Sequence, residues 1–219
     1  MKTYGIDIPK QFIGFNSAIR KKNHVAKLII GVTRLLNVAA VGTVDSLPPT
    51  WGNDHVRLII CIDKMSRVFI CSENQIHSFY YPFSIQISEK RGETFFEGAQ
   101  ISNVTCSALS SVLEDCSDDE LVETLLEKYW DIVTDLEIDE PEKTLCGRLI
   151  TFLLAFEPGY LRFDCDEVHQ NEQIHPREHL DINYSSGATF KVGLSKSLNC
   201  DELVDILNSK TACYFLEKR

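Results

Sequence analysis

The sequence predicts an α+β fold: a single domain over 1–219 with a largely antiparallel sheet and helices packed on it. Three observations predict it. Short β-rich runs follow one another at hairpin spacing from Val56 to Phe96. Apolar residues at helical spacing, framed by capping residues, mark helices before and after that run. Period-two alternation then returns between Leu161 and Leu194. Helices segregated around such a sheet are the α+β arrangement. A chain of 219 residues, 44% hydrophobic and 25% charged, can bury a substantial core.

The first long helix is expected from Asn16 to Asn37, where Val25, Leu28, Ile29, Val32, Leu35 and Leu36 share one face. Arg20, Lys21, Lys22 and Lys27 crowd its start, against the helix dipole. Leu47-Pro48-Pro49-Thr50-Trp51-Gly52-Asn53 breaks the chain. Val56–Ile62 and Arg67–Cys71 then read as an antiparallel hairpin. The aromatic and β-branched run from His77 to Ser88 continues it, and Thr94–Phe96 returns after a turn at Glu89–Glu93. These strands are expected in one meander sheet with one packed face.

Ser117-Asp118-Asp119-Glu120 has the capping-box spacing, so a helix is expected from there to about Val133. Asp139-Glu140-Pro141 opens another, with Thr144–Phe156 as its apolar body and Glu157-Pro158-Gly159 as its stop. Leu161–Asp166, a strand at Leu180–Asn183 and Thr189–Leu194 follow as three strands around one polar loop. Asn199-Cys200-Asp201-Glu202 caps a last helix that could run past Thr211. The domain thus reads as a helix and meander (1–110), an acidic helical segment (114–156) and a strand-loop-strand site with a helix (161–219).

Net charge is −10 but uneven. Thirteen acids against Lys128 alone give Glu114–Glu142 a charge of −12, whereas residues 1–57 carry eight Lys/Arg against three Asp, or +5. The acidic segment 114–142 is a solvated face or a docking surface for a basic protein partner. None of the eight cysteines forms a CxxC pair. With no secretory signal at the N-terminus, a cytoplasmic protein with free thiols is expected. The apolar runs are too short and interrupted to span a bilayer, so no membrane partner is expected.

Three of the six histidines fall between Leu161 and Leu194, mixed with carboxylates and guanidinium groups as in no other window. In Leu161–Asp166, Leu161, Phe163 and Cys165 share one face and Arg162, Asp164 and Asp166 the other. Antiparallel pairing with the Leu180–Asn183 strand brings Asp164 or Asp166 near His179, Asp181 or Asn183. One chemistry is a divalent metal, zinc or manganese, held by Asp166, His169, His175 and His179. A second is metal-free acid–base catalysis by His175 and His179 with Asp164 and Asp166, while Arg162, Arg177 and Lys191 hold an anion. A third is purely structural, with the same charges pairing to stabilise a loop.

The order Arg162-Phe163-Asp164-Cys165-Asp166, then His175-Pro176-x-x-His179-Leu180, then a strand ending Lys191-Val192-Gly193-Leu194 resembles a bacterial domain family of unknown function. Its hallmark runs RFDYD, a polar loop, HPxxHL and a third strand of RIPV type. Here Cys165 stands at the tyrosine position, and Lys191-Val192-Gly193 departs from the third-strand pattern. The resemblance implies no activity. Its association with mobile and phage-defence gene clusters implies a setting. A defence-associated or toxin-like nuclease or phosphodiesterase acting on nucleic acid or a nucleotide is therefore expected. The alternative is a non-catalytic accessory subunit or nucleotide-sensing module that docks on a larger effector.

Overall fold

A computed structural model describes residues 2–9, 19–43, 55–62, 65–114, 122–135, 138–184 and 187–215. The class is α+β, as expected, and among the described residues every strand pairing is antiparallel. Contacts gather the chain into two compact units that do not follow the three sequence segments. One holds 1–14, 42–81 and 159–219; the other holds 15–41 and 82–158.

The first unit is an eight-stranded sheet built from β1 (Lys2–Pro9), β2 (Gly42–Thr43), β3 (His55–Ile62), β4 (Arg67–Cys71), β5 (Gln75–Tyr80), β9 (Leu161–Cys165), β10 (Glu178–Ile182) and β11 (Phe190–Gly193). Their order is β11-β10-β9-β5-β4-β3-β1-β2. The three C-terminal strands therefore extend the N-terminal meander, with β9 laid against β5. One sheet face carries Ile59, Cys61, Phe69, Cys71, Ile76, Leu161, Phe163 and Leu180 around Leu203 of the short helix α5 (Cys200–Ile206). Each square ångström of apolar area this layer removes from water contributes about 25 cal/mol to stability.

The second unit holds α1 (Lys22–Val38), β6 (Ser84–Ser88), β7 (Arg91–Phe96), β8 (Ala99–Gln100), α2 (Asn103–Glu114), α3 (Val122–Asp135) and α4 (Glu140–Ala155). β6, β7 and β8 form their own three-stranded sheet. Helix α1 packs closely on it: a Cβ on Gly92 would lie 3.1 Å from the Leu36 carbonyl oxygen and side chain. Glu142 of α4 accepts from the hydroxyls of Ser102 and Thr105 at the start of α2.

Several expectations change. The His77–Ser88 run is two strands in two sheets, not one meander, because Tyr81-Pro82-Phe83 leaves the ladder. A proline has no N–H to give to a ladder. Strand β1 and helix α2 were not foreseen. The last helix stops at Ile206 rather than passing Thr211. The capping box at Ser117–Glu120 and the start of the first helix at Asn16 lie outside the described residues. The expectation of free thiols is corrected for two cysteines: Cys71 at the end of β4 and Cys200 at the start of α5 form a disulfide across a separation of 129 residues. Both sit on the sheet face that α5 covers, where their Cα atoms come within 6.6 Å.

Candidate functional site

The register of four strands assembles the polar residues. Gln75, Asp164, His179 and Gly193 form one cross-strand row over β5, β9, β10 and β11. His77, Arg162, Asp181 and Lys191 form the next. Directly paired residues share a sheet face, so both rows lie opposite the Phe163–Leu180–Ile76 layer. Apolar and polar residues alternate along β9, and pairing with its neighbours extends that alternation into a patch.

Arg162 is the hub. Its Nε donates to Asp164 Oδ2 at 2.7 Å and its Nη2 donates to Asp181 Oδ2 at 2.7 Å. Lys191 Nζ donates to Asp181 Oδ1 at 2.6 Å and lies 2.9 Å from His179 Nε2. The His179 tautomer follows from its other nitrogen: Nδ1 lies 2.8 Å from the Pro176 carbonyl oxygen, which can only accept. Nδ1 therefore carries the proton and Nε2 presents a lone pair to the Lys191 ammonium. His179 is wholly buried and Asp164 is 4% exposed, whereas the Lys191 side chain keeps 30% of its surface in solvent. Two cations and two carboxylates balance, which is what makes charges tolerable at this depth.

Helper residues surround the hub. His77 Nδ1 and the Tyr160 hydroxyl are 2.7 Å apart. Burial, then the Arg162 charge, pushes the His77 imidazole down to about 3, so it is neutral at physiological pH. Burial raises the Tyr160 phenol as well. Burial opposes the charge on Arg162, but Asp164 and Asp181 outweigh it and hold the guanidinium above its ordinary value. Gly193 lies opposite His179 because the Pro176 ring needs the space: a Cβ there would meet Pro176 Cγ at 2.8 Å.

The loop from Asp166 to Arg177 is ordered by its own polar groups. Asp166 Oδ1 accepts from the backbone N–H groups of Val168 and His169. The His169 backbone bond leads the contacts that hold the Asp166 carboxyl below its usual range. Asn171 and His175 exchange two backbone hydrogen bonds. The His175 ring meets the His179 ring edge-on at 4.7 Å, and its Nε2 lies 3.9 Å from Asp166 Oδ2.

Of the residues anticipated from sequence, Arg162, Asp164, His179 and Lys191 converge on the sheet, and His175 with Asp166 borders them. His169 stays on the open side of the loop beside Asp166, 75% exposed at its side chain. Arg177 pairs with Glu167 and Glu178, and Glu178 lies opposite Cys165, on the other sheet face from His179. Among the described residues, the donors that fall within 4.8 Å of one another as a possible metal cluster are Asp164, His179 and Asp181, not the loop set of Asp166, His169 and His175. Sequence reasoning missed His77 and Tyr160, and it gave Asp181 no role.

The acidic segment is described in part. On α3, Glu127, Asp131 and Asp135 fall four residues apart on an exposed face, with Trp130 beside them. No helix among the described residues is long and apolar enough to cross a membrane. No family model, curated protein or solved structure matches this chain.

Proposed function

We propose that the chain is a phosphodiester hydrolase of the nuclease type, acting in the bacterial cytoplasm in the defence setting that the sequence resemblance implies. One observation carries the reading: the Pro176 carbonyl fixes the His179 ring so that its Nε2 lone pair faces Lys191 between two carboxylates. A fixed tautomer that leaves Nε2 with its lone pair suits a proton acceptor. His175, set edge-on and reaching solvent, is the second imidazole, with Asp166 to orient it. Arg162 and Lys191 hold the phosphate.

In this scheme a phosphate oxygen draws the Lys191 ammonium off His179. The freed Nε2 takes a proton from the attacking water as its oxygen bonds to phosphorus. The P–O bond to the leaving group breaks, and His175 gives that oxygen a proton. The test is cleavage of fluorescent RNA and DNA oligonucleotides by the full chain beside His175→Ala and His179→Ala. Each substitution is expected to lower turnover by about 10²-fold or more. Equal turnover by correctly folded variants removes the reading.

A second reading is favoured by the charge balance of the cluster, in which each carboxylate already has a cation. The chain is then a non-catalytic accessory subunit or nucleotide-sensing module, and the Glu127–Asp131–Asp135 face of α3 meets a basic partner. Recovery of that partner drops when the three acids are changed to Gln and Asn. Calorimetry with a nucleotide panel tests the sensing form, and silence at about 1 mM ligand excludes it.

A further inference from the structure

We propose that Asp164, His179 and Asp181 form a divalent transition-metal site, and that the Lys191 ammonium stands in for the ion and leaves when the ion binds. This centre is built from the strands, not from the histidine loop. The register makes it: His179 lies directly opposite Asp164, and Asp181 is two residues further on the same strand and face. Their donor atoms all lie within 4.8 Å of one another. Two of the gaps are shorter, 3.5 Å from His179 Nε2 to Asp164 Oδ2 and 3.7 Å to Asp181 Oδ1. Side-chain rotation closes such a triangle onto one ion at the ligand distances of about 2.0–2.2 Å that zinc requires.

Four further features fit a cation. The His179 Nδ1–H bond to the Pro176 carbonyl is the outer contact that metal-ligating histidines make, and it leaves Nε2 as the ligand. Arg162 holds one oxygen of each aspartate, which orients both carboxylates. Asp164 Oδ1 is sealed from solvent and has no hydrogen-bond partner, so this carboxylate has coordinating capacity to spare. Such an orphaned acceptor costs free energy unless a ligand takes it. Finally, a cation already sits in the hollow: Lys191 Nζ contacts two of the three donors, Asp181 Oδ1 at 2.6 Å and His179 Nε2 at 2.9 Å.

Lys191 is suited to leave. It is on the edge strand β11, and its long side chain already reaches solvent. Without it, Arg162 and the two aspartates sum to −1 around a neutral imidazole. One histidine with two carboxylates is a mixed donor set that suits manganese or zinc rather than calcium. The ion and the ammonium compete for one position, so removing the ammonium strengthens ion binding.

This inference does not rest on the hydrolytic scheme: an ion on His179 Nε2 takes the lone pair that the scheme uses as base, and binding is read without turnover. Isothermal titration of the full chain with Mn2+ tests it. Wild type is expected to bind one ion. Lys191→Met is expected to bind it about tenfold more tightly or better, given what one unit charge beside a divalent ion is worth near a protein surface. Asp164→Asn and Asp181→Asn are expected to abolish binding. Equal affinity in wild type and Lys191→Met, or binding retained in Asp164→Asn, overturns the proposal. A second measurement needs no substitution: acetylation of wild-type lysines by an amine-reactive reagent, read by peptide mass spectrometry. Mn2+ releases the Lys191 ammonium, so its labelling rises severalfold while that of exposed Lys210 stays constant. Unchanged Lys191 labelling at about 1 mM Mn2+ overturns it as well.

Discussion

Gly193 shows how a single residue can hold the site together. Its missing side chain lets Pro176 close over β11, and the Pro176 carbonyl in turn fixes the His179 ring. Gly193→Ala forces a shift of Pro176, with an expected cost of about 1–3 kcal/mol. Urea unfolding measures that cost, and an unchanged midpoint would show that Pro176 is not so tightly placed. His77 gives a pH signature. Its folded value of about 3 lies below the ordinary 6.5, so the unfolded chain binds the extra proton between those values. Its contribution is intact above about pH 6.5 and is lost as pH falls towards 3, at up to about 1.4 kcal/mol per pH unit. Unfolding midpoints from pH 7 to pH 4 are expected to fall more steeply for wild type than for His77→Gln. Parallel profiles would contradict the burial of a neutral imidazole.

Residue roles near one another in sequence were legible; distant ones were not. Alternation in Leu161–Cys165 put Arg162 and Asp164 on one face without any structure. His77 was invisible as a neighbour of Arg162, because that pairing joins strands 85 positions apart in register. Local spacing carries no information about it.

Among the elements, those with strong end signals were read most accurately. The α5 capping box is present as expected: Asn199 Oδ1 accepts from the Glu202 N–H, and Glu202 accepts from the Asn199 N–H. Asn199→Ala is expected to cost about 1 kcal/mol of stability, seen as a lower urea midpoint. No loss would mean that the α5 start is held by packing and the disulfide alone. Asp139 likewise caps α4 by accepting from the Glu142 N–H, with Pro141 in the first turn. Helix α2 escaped notice because its Asn-Val-Thr-Cys-Ser start is poor in helix formers, and tertiary contacts decide it instead. The single-meander expectation failed because period two marks strands but not which sheet they join.

Across the whole molecule, closure of β9 on β5 and the Cys71–Cys200 disulfide are the long-range features that no local pattern could announce. Among the described residues, Cys61, Cys106, Cys146, Cys165 and Cys213 remain thiols beside the disulfide. Thiol titration of the denatured, unreduced chain is expected to count two fewer thiols than after reduction, and reduction is expected to lower stability by about 2–5 kcal/mol. Eight reactive thiols would restore the reduced state that a cytosolic setting maintains.

The account as a whole depends on His179 offering its Nε2 lone pair to the Lys191 ammonium on one sheet face. Nitrogen-15 NMR of histidine-labelled protein at pH 7 tests this most directly, during titration with a non-hydrolysable thiophosphate dinucleotide. The account predicts His179 with Nδ1 protonated and Nε2 bare, and a shift of Nε2 as the ligand draws Lys191 away. A proton found on Nε2, or an Nε2 resonance unmoved by the dinucleotide at saturating concentration, would contradict it.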